Sequence, residues 1–172
     1  SVNPEKIPLL APAFVKTGTV TAGNSSSIAD GAAALVLMRL SEAEKRGIQP
    51  IARIINHRTS AKTPSEFPTA PIDATRELLE KINWNIHDVD LFEVNEAFAV
   101  VVLAMMHDLR IPREKMNVHG GACALGHPLG ATGARILVTL LAALQRNRLK
   151  RGIASLCIGG GEATAIAIEM VE

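Results

Sequence analysis

Contiguous apolar runs alternate along this chain with stretches of helical spacing. Ala32 to Leu40 is unbroken apolar apart from Arg39 and predicts a strand buried on both faces. Ser41 follows with Glu44 three residues on, a capping-box signature, so a short helix is expected to Arg46 with Gly47 ending it. Ile51 to Thr59 reads as a second strand, Pro64 to Pro71 as a loop, and Asp73 to Ile82 as an amphipathic helix with Leu78, Leu79 and Ile82 on one face. A short strand over Val89 to Val94 leads to a helix over Glu96 to Leu109, apolar all round and therefore expected to be buried all round. The glycine-rich stretch Asn117 to Gly126 reads as irregular, and Pro128 to Gln145 as a long helix. At the end, two apolar runs, Gly152 to Ile158 and Ala163 to Val171, flank Gly159-Gly160-Gly161, which predicts an antiparallel pair closing a sheet. Alternating strands and helices predict an α/β layered domain. Its expected core is a mixed, mostly parallel five-stranded sheet with helices on both faces and the last strand antiparallel.

Composition narrows the class. The 172 residues suit one compact domain, and 48% are hydrophobic but only 3% aromatic, so small aliphatic side chains must fill the core. Formal charge is +1, from 18 basic and 17 acidic residues without a basic block, which argues against a nucleic-acid partner. The longest apolar run, Ala97 to Met106, falls short of the roughly 18 residues a membrane span needs, so no membrane association is expected. Two cysteines, Cys123 and Cys157, make no disulfide framework and suit a reducing compartment. The chain begins at Ser1, with Pro4, Pro8 and Pro12 in an extended lead over residues 1–16, and reads as a segment joined midway.

Four segments carry candidate chemistry. Gly18 to Gly31 is a loop of small and hydroxyl residues, either a tight bend or a wall for a thin ligand that Ser26 contacts. Asn95-Glu96-Ala97-Phe98 stands where a strand gives way to a helix; Asn95 is either an N-cap or a site residue at a strand's carboxyl end. Asn117 to Gly130 holds His119, Cys123 and His127 at intervals of four, which invites a metal reading. The glycines and Pro128 argue against one continuous helix presenting all three, so no metal is expected. His127, before Pro128 at a helix start, is placed to hold an oxyanion or pass a proton, its neutral form favoured by the helix dipole. Finally, Cys157 precedes three glycines whose bare amides suit an oxyanion or thiolate; the alternative is an ordinary core cysteine.

Read together, Gly18-Thr-Val-Thr-Ala-Gly-Asn24, Asn95-Glu-Ala-Phe98, Gly120-Gly-Ala-Cys-Ala-Leu-Gly-His-Pro128 and Cys157-Ile-Gly-Gly-Gly161 resemble the thiolases, in particular the C-terminal domain of the acetyl-CoA acetyltransferase branch. The resemblance spans residues 1–172, and the asparagine of Asn95-Glu-Ala-Phe98 separates it from the related ketoacyl synthases, which use histidine there. It implies that Cys157 is the acid–base cysteine that removes an α-proton, and that His127 activates the nucleophile and donates to the thioester oxygen. Asn95 would hold a water in the same oxyanion hole, and the Gly159 amide would serve a second one. Ser26 would lie beside the pantetheine arm of coenzyme A, with Phe14 and Ala22 lining that channel.

By the same resemblance the substrate is a coenzyme A thioester, acetyl-CoA or another acyl-CoA, with no covalently held cofactor. The nucleophilic cysteine would belong to an N-terminal thiolase domain, and it and the loop domain that grips the nucleotide are absent from this chain. The implied partners are that domain and further copies in a dimer or tetramer. The implied compartment is the cytoplasm, with a mitochondrial or peroxisomal matrix as the alternative. Ser25-Ser26-Ser27 departs from the family's Ala-Ser-Gly, and Glu162 stands where many members are neutral. A reading of another class, a non-catalytic packing or oligomerisation module, follows from the missing nucleophile.

Overall fold

In the computed structural model, which describes residues 3–171, four strands form one mixed sheet. They are β1 (Ala52–Ala61), β2 (Leu91–Val94), β3 (Arg151–Cys157) and β4 (Glu162–Met170), in the spatial order β1-β4-β3-β2. Their β-branched and alanine-rich sequences leave little side-chain bulk between layers. The helices are α1 (Leu40–Lys45), α2 (Ala70–Ile82), α3 (Ala99–Leu109), α4 (Ala122–Leu125) and α5 (Thr132–Asn147).

Helices cover both sheet faces, as the alternation predicts. On one face Leu78 and Leu79 of α2 and Val101, Val102 and Met105 of α3 pack with Phe92, Val94, Ile153 and the alanines of β4. On the other, Ile136, Leu140, Ala143 and Leu144 of α5 pack against Leu91, Ala154 and Ile168. Gly152 admits that second layer closely: a Cβ there would stand 2.9 Å from the methyls of Leu140 and Leu144.

The sheet differs from expectation in strand count and direction. It has four strands, and only β2 and β3 run parallel. The glycine turn returns β4 antiparallel beside β3, as predicted, and β1 pairs antiparallel with the free edge of β4 from Ala52↔Met170 to Ala61↔Glu162. Alternation of strand and helix indicates layers, but it does not say which strand will occupy a given edge. The expected fifth strand, Ala32 to Leu40, does not form: residues 32–39 have no regular structure and no strand partner among the described residues, Leu40 begins α1, and Val36 is 88% exposed. Its apolar run reports a need for burial that the rest of this chain does not meet.

Smaller differences share such causes. The capping box at Ser41 does not form, because α1 begins one residue earlier with Arg39 in the cap position. Gly47, at φ +65°, ends α1 as expected. Residues 64–69 form a 3-10 helix that runs directly into α2, and Asn3 begins a second over Pro4–Leu9 in the expected extended lead, whose Ser1 and Val2 lie outside the described residues. Helix α3 is buried on one side only. Leu103 is 61% exposed because the helix meets α2 and the sheet with a single face.

Candidate active site

The site grows from the carboxyl ends of the two parallel strands. Val94 of β2 lies in register with Ser155 of β3, and the Asn95 amide donates to Ser155 O at 3.0 Å. Asn95 and Cys157 thus leave neighbouring strands at the same sheet end, where open α/β sheets place their ligands. Asn95 is fully buried, and it is not the N-cap of α3, a position that falls to Phe98.

Asn117 holds the end of β2 in place. Its Oδ1 accepts from Val94 N at 2.7 Å and its Nδ2 donates to Val94 O at 2.8 Å, so a side-chain amide substitutes for a strand neighbour. Asn117 adopts φ 45°, which asparagine tolerates better than most residues. Glu96 then ties β2 to α4: its carboxylate accepts from Asn117 Nδ2 at 3.0 Å and from Cys123 N at 3.1 Å. Gly121 leaves room for that carboxylate, since a Cβ there would lie 2.3 Å from the Glu96 carboxyl carbon.

The chain beyond α4 presents His127. Its amide donates to Ser27 O at 2.8 Å, and Ile28 bridges it in parallel. Helix α5 begins at Thr132 rather than Pro128, yet the imidazole still reaches its first residue, with Nδ1 2.7 Å from Thr132 Oγ1. On the other side of the ring, Nε2 lies 3.3 Å from Asn95 Nδ2. Burial first, and then the Arg135 guanidinium, hold the imidazole below its ordinary pKa, so it rests neutral at pH 7. Asn95 Oδ1 is buried without a partner among the described residues.

Cys157 closes β3 against the α2–α3 core, and burial pushes its thiol pKa up, so it rests protonated. Gly159 follows in the turn that Ile158 N closes by donating to Glu162 O at 2.7 Å. The space around Gly159 is open, with nothing within 4 Å of a Cβ built there.

The remaining expected residues, Ser26, Phe14 and Ala22, belong to the segments that precede residue 32. Ser26 N and Oγ both donate to Ala97 O at 3.0 Å, which joins the loop over residues 18–31 to the turn after Asn95. Phe14 meets Phe98 edge-on, with ring centroids 5.8 Å apart. Ala22 sits in a 3-10 turn of the same loop, three residues before the Ser25–Phe98 bridge. His119, Cys123 and His127 do not converge: Cys123 Sγ donates to Glu96 O, both imidazole nitrogens of His127 have protein partners, and no cluster of three metal-ligating side chains occurs among the described residues. Burial and the neighbouring Glu96 push the Cys123 thiol up to about 11, which suits an inert side chain.

Four residues of this site escaped sequence reasoning: Glu93, Asn117, Thr132 and Arg135. Glu93 had a visible signal, as the single carboxylate in an apolar strand beside Asn95. It is 2% exposed and pairs with Arg135 of α5 at 3.2 Å. Asn117 had no such signal, since its role depends on Val94 backbone atoms that only the fold brings near, and Thr132 had none because its local bonds to His127 and Pro128 depend on where α5 begins.

Residues 48–170 match the thiolase C-terminal domain family, and residues 1–41 match the thiolase N-terminal domain family. An acetyl-CoA acetyltransferase of Rhizobium meliloti is 50% identical over 165 residues, covering 96% of this chain and 42% of that protein. The cytosolic acetyl-CoA acetyltransferase of Mus musculus is 49% identical over 169 residues, 97% of this chain and 43% of its own length. Among solved structures, the acetyl-CoA acetyltransferase of Bacillus anthracis superposes with a TM-score of 0.96 at 47% identity, covering 99% of this chain and 43% of that one. A thiolase from Ascaris suum in complex with coenzyme A gives 0.86 at 40% identity, covering 99% and 44%. The chain therefore spans about two-fifths of the length of the curated relatives it matches.

Proposed function

The chain belongs to the thiolase family, and we propose that the full-length polypeptide carrying it moves acetyl or acyl groups between coenzyme A thioesters. It would join two acetyl-CoA into acetoacetyl-CoA, or cleave a 3-ketoacyl-CoA by the reverse chemistry. The observation that carries this reading is the Asn95–His127 contact at the carboxyl ends of β2 and β3, with Asn95 Oδ1 left as an unpaired buried acceptor beside it.

The chemistry has two demands. A thioester α-proton is weakly acidic, so the enolate oxygen needs fixed donors aimed at it. Asn95 Oδ1 orients a water, and that water together with protonated His127 Nε2 supplies them. Neutral His127 first takes the proton of a nucleophilic thiol from the N-terminal domain, which leaves Nε2 charged for the second task. The other demand is a base near the α-carbon: Cys157 rests as a thiol, its proton passes to the coenzyme A thiolate released when the acyl group is transferred, and the Cys157 thiolate left behind takes the α-proton. Gly159 lies in the turn at the same end, where a Cβ would meet nothing within 4 Å, and its amide serves the second oxyanion.

Ser26, Phe14 and Ala22 form the wall along which the pantetheine arm runs, supported by the loop's attachment to Ala97 and Phe98. Residues 48–170 act as the C-terminal part of a site, residues 1–41 contribute a piece of the N-terminal domain, and the remainder of that domain and the loop domain complete the site, in a dimer or tetramer of the cytoplasm. The exposed apolar segment from Val36 to Leu40 favours that completion, because it lacks a cover within this chain. Replacing Cys157 with Ala in the full-length polypeptide tests the assignment. The variant is expected to accept an acetyl group from acetyl-CoA but to lose condensation by about 10²–10⁴-fold, the range for a lost acid–base group. Wild-type condensation by Cys157→Ala would remove Cys157 from the mechanism.

A further inference from the structure

His127 is held by a hydrogen-bond chain whose direction can be worked out proton by proton. Thr132 Oγ1 lies 3.0 Å from Pro128 O and 2.7 Å from His127 Nδ1. A carbonyl oxygen only accepts, so the single hydroxyl proton of Thr132 goes to Pro128 O. Towards the imidazole the hydroxyl can then only accept, and Nδ1 must carry the ring proton. Nε2 is left with the lone pair, and it faces Asn95 Nδ2, which donates to it at 3.3 Å. Every link from Asn95 through His127 and Thr132 to Pro128 O agrees in direction.

We infer that Thr132 is a positioning residue that locks His127 in the Nδ1–H tautomer, so that Nε2 is the atom presented as base and, once protonated, as oxyanion donor. Thr132 is fully buried at the first residue of α5, so its hydroxyl is fixed by the helix that follows rather than by solvent. Pro128 supports the same geometry because its carbonyl, one turn before the helix, is reached by the i to i−4 hydroxyl bond. The other neighbours of the ring leave the tautomer to Thr132: Arg135 acts on it through charge alone, and Asn95 could turn its amide to suit either nitrogen state. This role rests on the thiolase reading for its catalytic consequence but not for the tautomer itself.

The test uses the full-length polypeptide with 15N-labelled histidine, the His127 signals being assigned by their loss in His127→Asn. Two-bond nitrogen–proton correlations distinguish an N–H nitrogen from a lone-pair nitrogen. Wild type should show a protonated Nδ1 and an unprotonated Nε2 at pH 7.5. The near-isosteric Thr132→Val should show mixed tautomers and a kcat lower by on the order of ten- to a thousandfold with KM little changed, as expected when a catalytic imidazole loses its orienting acceptor. Thr132→Ser should restore both readouts. A protonated Nε2 in wild type, or an unaltered Nδ1–H tautomer in folded Thr132→Val, would overturn the inference. If the tautomer shifts as described but wild type lacks thiolase turnover, the functional reading fails while the lock stands.

Discussion

At the scale of single residues, a histidine and a cysteine of the candidate site rest uncharged at neutral pH. Burial does this for Cys157, and burial with Arg135 does it for His127. The same Arg135 is partnered by Glu93, whose carboxyl is pushed by burial from an ordinary 4.5 up to about 7, against the opposing pull of the guanidinium. The folded protein therefore binds a proton at Glu93 that the unfolded chain has released between those two values. Stability from this group is full below about 4.5 and is lost as pH rises through about 7. His127 contributes with the opposite sign, losing stability as pH falls from its ordinary 6.5 towards its lower folded value. Comparing variants separates the two. Urea midpoints of wild type and Glu93→Gln at pH 5 and pH 8 should show wild type losing more stability on the alkaline side than the variant does. Parallel pH dependences would mean that Glu93 ionises as it does in water.

At the scale of elements, the β3–β4 turn divides its glycines between structure and chemistry. Gly161 has φ +108°, and a Cβ there would stand 2.5 Å from Lys62 O, a backbone atom that cannot swing aside. Gly161→Ala should lower unfolding free energy by about 1–3 kcal/mol from backbone strain, more if the contact forces β1 away. Gly159→Ala meets nothing and should stay within about 0.5 kcal/mol of wild type while impairing turnover, because the methyl enters the space before the oxyanion donor. Denaturation midpoints and rates on both variants check the division. This turn was legible in the sequence because a glycine triplet interrupts two apolar runs too abruptly for anything but a tight reversal of the chain. So were β1, β3, β4, α2 and α5, within a few residues at each end. The strand over Ala32 to Leu40 was not, because an apolar run reveals that a segment seeks cover but not whether a strand will pair with it, and none does among the described residues. The parallel majority failed for a related reason: β1 and β4 find each other across a separation of about a hundred residues, which local pattern does not encode. Asn95, His127, Cys157 and Gly159 were readable as a family motif. Two of their supports, Glu96 against Gly121 and Asn117 against Val94, emerge only when the segments meet, while Thr132 against Pro128 is a local bond that appears once α5 starts at Thr132.

At the scale of the whole molecule, one end of the sheet collects Asn95, His127 and Cys157, and apolar side chains near it remain uncovered. Ile28, bridged to His127, is 88% exposed, and Leu125 and Leu129 on either side of the histidine are also exposed. This chain spans about two-fifths of its relatives' length, and under the proposed function this exposed apolar surface is where the remaining domains would pack. The central claim is that this part moves the α-proton while the covalent acyl step belongs to the other part. Proton exchange isolates it. The full-length polypeptide is incubated with acetyl-CoA in deuterated water, and deuterium in the acetyl methyl group is followed by mass spectrometry, alongside exchange of labelled coenzyme A into acetyl-CoA. Wild type should show both reactions. Cys157→Ala should retain coenzyme A exchange and lose methyl deuteration by at least about a hundredfold. Methyl deuteration by Cys157→Ala at the wild-type rate would contradict the account.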